Sequence, residues 1–137
     1  MATNIVLADA QATPVNHTFQ PAGFDAKGVF TFVDRSSDNA VGNWLIRVDV
    51  RQPVGAASGT YRYKIELHEP VLEVLGDANA AGYKAAPSVA YTPRVFVEFV
   101  LPDRTAVLDR KNIRKMAAGL LNDSQIASIV ENLTNVI

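Results

Sequence analysis

Two hydrophobic periods divide the chain, and this division constrains the fold more than any other feature of the sequence. In residues 44–52, 61–69 and 94–101, apolar and charged residues alternate, which puts them on opposite faces of β-strands. In residues 105–133, apolar residues recur at spacings of three and four, as on amphipathic helices. All predicted strands precede both helices, so we expect an α+β fold.

The pattern predicts seven strands and two helices. The predicted strands cover residues 4–9, 15–19, 29–33, 44–52, 61–69, 71–75 and 94–101. The first two form an N-terminal hairpin, and residues 76–87, rich in Gly and Ala, read as a mobile loop. The first helix covers about 105–121, residues 122–124 break it and offer a cap, and apolar spacing resumes from 126 to 133.

Length and composition limit the class of protein. The 137 residues fit a single domain, 1–137, with β structure in 1–102 and the two helices in 103–137. The chain has no cysteine, which excludes disulfides and thiolate metal sites. No apolar stretch is long enough to span a membrane, and the first residues carry no basic segment typical of a secretory signal.

The predicted core is thin. Only two helices, both after the last strand, are available to cover the apolar face of one open sheet. We therefore expect a second subunit to complete the core.

The opposite face of the sheet is charged, although the chain has a net charge of −1. Five basic and three acidic residues share it: Arg47, Asp49, Arg51, Arg62, Lys64, Glu66, Arg94 and Glu98. Such a face can hold RNA phosphates, and Phe96 or Tyr91 can stack on unpaired bases. An ordinary solvated face with cross-strand ion pairs explains the same pattern.

Signals for catalysis or metal binding are weak. The two histidines, His17 and His68, lie on different predicted strands without metal-ligand spacing. Residues 76–84 resemble a phosphate loop only superficially, because Tyr83 interrupts the Gly-Lys pair. A calcium loop starting at Asp77 lacks its third ligand and its closing Glu. We expect no cofactor and no metal.

Four segments, taken in order, resemble the coat proteins of small single-stranded RNA bacteriophages, the levivirus group. They are VLADAQATP at 6–14 followed by HTF at 17–19, VRQ at 50–52, RYKIEL at 62–67, and Met116 with GLL at 119–121. No single motif is specific, but the ordered set covers essentially the whole chain.

The resemblance implies the RNA-phage coat protein fold. This fold has an N-terminal β-hairpin, a five-stranded antiparallel sheet and two C-terminal α-helices, with the hairpin and helices on the outer side. Two subunits form an intertwined dimer with a continuous ten-stranded sheet, and dimers build a T=3 icosahedral shell. Loops 53–59 and 76–87 would make shell contacts, the second with different conformations at different symmetry axes, where Pro87 matches a proline that some members hold in cis.

The resemblance also implies binding of single-stranded genomic RNA, including a hairpin whose capture represses replicase translation. Carried over by position, the RNA-binding residues are Arg47, Asp49, Arg51, Arg62, Lys64, Glu66, Arg94, Phe96 and Glu98. Arg47, Asp49 and Lys64 replace small hydroxyl residues of an adenine pocket, so sequence preference does not transfer. The implied location is the virion, assembled in the host cytoplasm with a maturation protein as a further partner and no membrane.

Two other functions stay open at this point. A dimeric RNA-binding repressor that never assembles would use the same charged face. A small enzyme would need a polar pocket that holds His68 beside a carboxylate.

Overall fold

In the computed structural model, which describes residues 1–55, 59–76 and 78–136, eight strands precede two helices. The strands are β1 (Ile5–Ala8), β2 (Asn16–Phe24), β3 (Phe30–Asp34), β4 (Trp44–Arg51), β5 (Thr60–His68), β6 (Val71–Leu72), β7 (Val89–Tyr91) and β8 (Arg94–Pro102). The helices are α1 (Val107–Leu121) and α2 (Ser124–Asn132). The predicted order of elements and the α+β class are confirmed.

The chain forms two compact units. One comprises Met1–Gln52 and Tyr61–Val100, and the other comprises Pro53–Thr60 and Leu101–Ile137. The assignment of 1–137 to one coat-protein domain stays a prediction.

A six-stranded antiparallel sheet dominates the first unit, in the order β1-β2-β3-β4-β5-β8. Strand β2 pairs with β1 through Asn16–Phe19 and with β3 through its second half, with a bulge between Pro21 and Gly23. Gly23 has a φ of 107°, which only glycine adopts readily. The hairpin therefore continues into the sheet, which contains both hairpin strands and four of the five predicted sheet strands, whereas a five-stranded sheet with a separate hairpin was expected.

The predicted strand at 71–75 is shorter than expected. Only Val71 and Leu72 form β6, and they pair with Val89–Tyr91 in a separate two-stranded ribbon that the sequence pattern did not reveal. Between them, the Asn79 side chain accepts hydrogen bonds from the backbone N–H groups of Ala81 and Tyr83. The described part of the 76–87 loop thus contains a built turn, and no peptide bond in the described residues, including that of Pro87, is cis.

Residues 56–58 of the predicted shell-contact loop and Asp77 of the rejected calcium loop lie outside the described residues.

The apolar side of the sheet holds a small core. Phe19 is 1% exposed and packs with the buried Phe32 and Ile46, against which Trp44 and Leu67 are also packed. The alternation predicted for β4 is confirmed, because Ile46 is buried on this side whereas Arg47 is not.

A histidine clamp, made of His17, Asp9 and Asp34, fastens the hairpin to β3. His17 Nδ1 lies 2.8 Å from Asp34 Oδ2, His17 Nε2 lies 3.3 Å from Asp9 Oδ2, and the ring stacks on Trp44 with 4.3 Å between centroids. Ionised carboxylates only accept hydrogen bonds, so both ring nitrogens must donate, and this requires the imidazolium form.

The pKa values of the clamp shift in the directions that this geometry requires. The hydrogen bond to Asp34 raises the pKa of His17. Backbone N–H groups, first that of Val15, lower the pKa of Asp9 to about 2. Burial raises the pKa of Asp34, but hydrogen bonds from His17 and Ser36 outweigh it and leave that pKa below its usual value.

The second unit contains both helices. The backbone N–H of Asp103 donates to Gly59 O at 2.9 Å, and the backbone N–H of Gly59 donates to Asp103 Oδ2 at 3.1 Å. Asp123 caps α2 by accepting from the backbone N–H of Gln125, as the predicted break at 122–124 suggested. No residue of either helix is buried, and no helix in the described residues is long and apolar enough to cross a membrane.

We expect the clamp to stabilise the folded protein most strongly between about pH 4 and 6.5, the ordinary pKa values of Asp and His. The His17 contribution is complete below its ordinary pKa and is lost as pH rises through its raised value in the folded protein. The carboxylate contribution is present above the ordinary Asp pKa and is lost as pH falls toward about 2 for Asp9.

The measurement is thermal unfolding of the wild type and of His17→Gln at pH 5, 7 and 9, followed through Trp44, the one tryptophan. The difference in Tm should be largest at pH 5 and shrink at pH 9. A difference that does not change with pH would contradict an imidazolium clamp.

Candidate nucleic-acid interface

The register between β4 and β5 brings the predicted charged residues together on one face. Opposite one another stand Arg47 and Glu66, Asp49 and Lys64, and Arg51 and Arg62. Directly opposed residues in an antiparallel pair point to the same side of the sheet. The next strand, β8, adds Glu98, whose Oε1 lies 3.0 Å from Nη1 of Arg62.

An open cavity of about 490 Å³ lies on this charged face. Its wall consists of Lys27, Val29, Arg47, Asp49, Arg51, Arg62, Lys64, Glu66 and Glu98. Seven of the nine predicted site residues thus line one cavity. The two others, Arg94 and Phe96, do not line it.

Cross-strand and same-strand ion pairs cover the cavity wall. Arg51 Nε lies 3.2 Å from Asp49 Oδ2, and Arg62 pairs with Glu98 at 3.0 Å. The arginine of each pair is largely exposed, so each pair contributes at most about 1 kcal/mol to stability. The ion-paired face expected for a solvated sheet is therefore present. Its pairs are weak enough for another anion to replace the carboxylate.

Glu66 is the centre of the charge network. Its Oε1 lies 3.0 Å from Lys64 Nζ, and its Oε2 lies 2.9 Å from His68 Nε2 and 3.6 Å from Arg47 Nη1. Burial raises the pKa of Glu66, but hydrogen bonds from His68 and Lys64 and the charge of Arg47 more than compensate and hold it below its ordinary value. One carboxylate thereby orients three basic side chains.

Phe96 lies beside this network rather than within the cavity. The residue is 54% exposed, Lys64 Nζ lies 5.0 Å from its ring centroid, and His68 meets the ring edge-on with 6.1 Å between centroids. The ring has the exposure that base stacking requires, with a cation already on it. Tyr91, the other suggested stacking residue, belongs to the separate β6–β7 ribbon.

The sequence pattern missed two wall residues, Lys27 and Val29. Both belong to the β2–β3 connection, which the pattern marked as a loop and the start of a strand. For Val29 the available signal was the alternation of the predicted strand 29–33: Thr31 stands opposite Arg47, and Val29, two residues earlier, points to the same face.

The histidines form no metal site. No group of three metal-ligating side chains occurs within 1–55, 59–76 and 78–136. His68 does contact the Glu66 carboxylate, as the enzyme alternative required, but it is absent from the cavity wall.

Comparison with known proteins decides the family. The model of the family "Levivirus coat protein" matches residues 1–136. The chain belongs to this family. It is therefore a coat protein, a virion component that associates with itself into a shell.

Solved structures agree with this assignment. The chain is 40% identical to that of the virus-like particle of bacteriophage ESE058, with a TM-score of 0.93 over 100% of this chain and 99% of that one. The particle of bacteriophage NT-214 (24% identity, TM-score 0.84, coverage 99% and 98%) and the capsid of bacteriophage GA (24%, 0.73, 96% and 95%) share the fold. A comparison with curated proteins finds no significant match.

We expect Glu66→Ala to lower the free energy of unfolding of the coat protein by about 1–3 kcal/mol, because it removes hydrogen bonds to charged groups at a site that is only 14% exposed. Glu98→Ala is the matched control. That carboxylate is 45% exposed and holds one arginine, so its loss should cost less than about 1 kcal/mol. Urea denaturation measures both, and equal losses would contradict the central role of Glu66.

Proposed function

We propose that this coat protein dimerises and that the dimers build a T=3 icosahedral shell around single-stranded genomic RNA, with the charged sheet face toward the RNA. The observation that carries the proposal is the cavity on one face of the sheet, into which four predicted basic residues point: Arg47, Arg51, Arg62 and Lys64. The chemistry is binding, and no catalytic turnover is proposed.

The distribution of apolar surface supports dimerisation. Neither helix buries a residue, and large apolar side chains of α1 are exposed, among them Leu108 at 66% and Met116 at 70%. A helix that buries none of its apolar side chains within its own chain is available for an interface with another subunit. Strand β8 is also an edge of the six-stranded sheet, so its backbone groups are available to a second copy.

The ion pairs of the cavity support reversible RNA binding. A phosphate can replace Asp49 at Arg51 or Glu98 at Arg62, because both arginines are largely exposed to solvent and salt screens these pairs. Single-stranded RNA then gains phosphate contacts at little cost in protein stability. The exposed ring of Phe96 offers a stacking surface next to Lys64.

The finer biological role follows from this binding. A coat protein dimer that captures an RNA hairpin at the start of the replicase gene would repress its translation, and the same contact would mark the genome for packaging in the host cytoplasm. A maturation protein is the further proposed partner.

We expect the expressed protein to elute from a size-exclusion column as particles that absorb at 260 nm and appear as uniform spheres in electron micrographs. Dimers without particles would favour the alternative, a repressor that does not assemble. A monomer free of nucleic acid would contradict the proposal.

We expect the double variant Arg51→Ala/Lys64→Ala to bind single-stranded RNA about 25-fold more weakly at about 0.1 M salt, and to lower the slope of log K against log salt by about 1.4. The control is Arg35→Ala/Lys84→Ala, which removes the same charges from residues outside the cavity wall. Fluorescence anisotropy measures binding, and sedimentation measures the dimer. A variant that loses the dimer yet binds RNA fully would show that the face is misassigned.

A further inference from the structure

The β2–β3 turn is built around one carboxylate. Asp25 Oδ1 accepts hydrogen bonds from the backbone N–H of Lys27 at 2.8 Å and of Val29 at 3.0 Å. The backbone closes the same turn, since Asp25 N donates to Val29 O and Gly28 N donates to Asp25 O. Gly28 has a φ of 79°, the left-handed residue that ends this kind of hairpin turn. The position of Lys27 is therefore fixed by its backbone.

The turn presents Lys27 to the cavity on the charged face. Lys27 lines that cavity together with Arg47, and its side chain is exposed. The four other basic wall residues each lie within 4 Å of a carboxylate, whereas Lys27 has no such partner among the described residues. An anion that enters the cavity meets Lys27 without displacing a carboxylate.

Asp25 also reaches the sheet. Its Oδ2 lies 3.0 Å from Nη2 of Arg47, and Glu66 lies 3.6 Å from Nη1 of the same guanidinium. Arg47 is thus held from two sides, by the turn and by β5. The backbone N–H of Val29, then that of Lys27 and the charge of Arg47, keep the pKa of Asp25 below its ordinary value.

From this geometry we infer that the β2–β3 turn is part of the RNA interface. Lys27 contacts an RNA phosphate, and Asp25 is a positioning residue that fixes the turn and holds Arg47. The inference rests on the proposed RNA binding and extends it from the strands to a turn that strand alternation does not include.

The first test is Lys27→Ala in the 137-residue coat protein chain, with a fluorescein-labelled 20-nucleotide single-stranded RNA as the probe. One phosphate contact contributes about 0.7 to the slope of log K against log salt, so the slope should fall by about 0.7 and the affinity by about fivefold at 0.1 M salt. Lys84→Ala removes the same charge outside the cavity and should change neither.

The second test separates the two roles of Asp25. Asp25→Asn keeps an oxygen that can accept hydrogen bonds from the two backbone N–H groups, but it loses the negative charge that faces Arg47. Asp25→Ala loses both the oxygen and the charge. Both variants lose the ion pair with Arg47, so the difference between their RNA affinities measures what the hydrogen-bonded turn contributes. Asp25→Ala should bind RNA about fivefold more weakly than Asp25→Asn, and adding Lys27→Ala should weaken only the Asn variant.

The outcomes distinguish this inference from the proposed function. If the wild type does not bind the RNA, the proposed function fails. If it binds and Lys27→Ala behaves like Lys84→Ala, the inference fails and the proposed function stands. Circular dichroism checks the fold of each Asp25 variant, and Lys27→Ala tests the inference without altering the turn.

Discussion

The register between β4 and β5 is the constraint on which the other features depend. It sets Arg47 opposite Glu66 and Asp49 opposite Lys64 on one face, and it puts Ile46 opposite Leu67 on the other. A slip by one residue would turn the charged side chains toward Phe19 and Phe32 and expose the apolar ones. The small core and the charged cavity are two results of the same pairing.

Charge on the cavity wall is largely compensated within the protein. Glu66 orients Lys64, His68 and Arg47, and the carboxylates of Asp49 and Glu98 accompany Arg51 and Arg62. The long basic side chains are therefore already ordered before any anion arrives, which reduces the entropy lost on binding. The same compensation lowers the net positive charge of the face, so binding depends on exchange of partners more than on long-range attraction.

The faces of the long strands and the start of α2 were predictable from the sequence, because each depends on local spacing. Alternation in 44–51 and 60–68 assigns the face of every residue there, and Asp123 caps the helix that follows it. The β6–β7 ribbon was not predictable, since Val89–Tyr91 has no alternation of its own and pairs across a long loop. Lys27 was missed because its place in the cavity depends on the hydrogen bonds of Asp25, and no hydrophobic pattern records them.

Strand order has a consequence for how the chain folds. Strands β1 to β5 each pair with their neighbours in sequence, so these pairings close only short loops. Strand β8 instead pairs with β5 across residues 69–93, the longest connection between paired strands of the six-stranded sheet. Contacts of greater sequence separation form more slowly, and β8 is also the last of the strands to be synthesised. The five-stranded meander, with the histidine clamp at one side, can thus form first, and the edge that carries Phe96 and Glu98 joins it late.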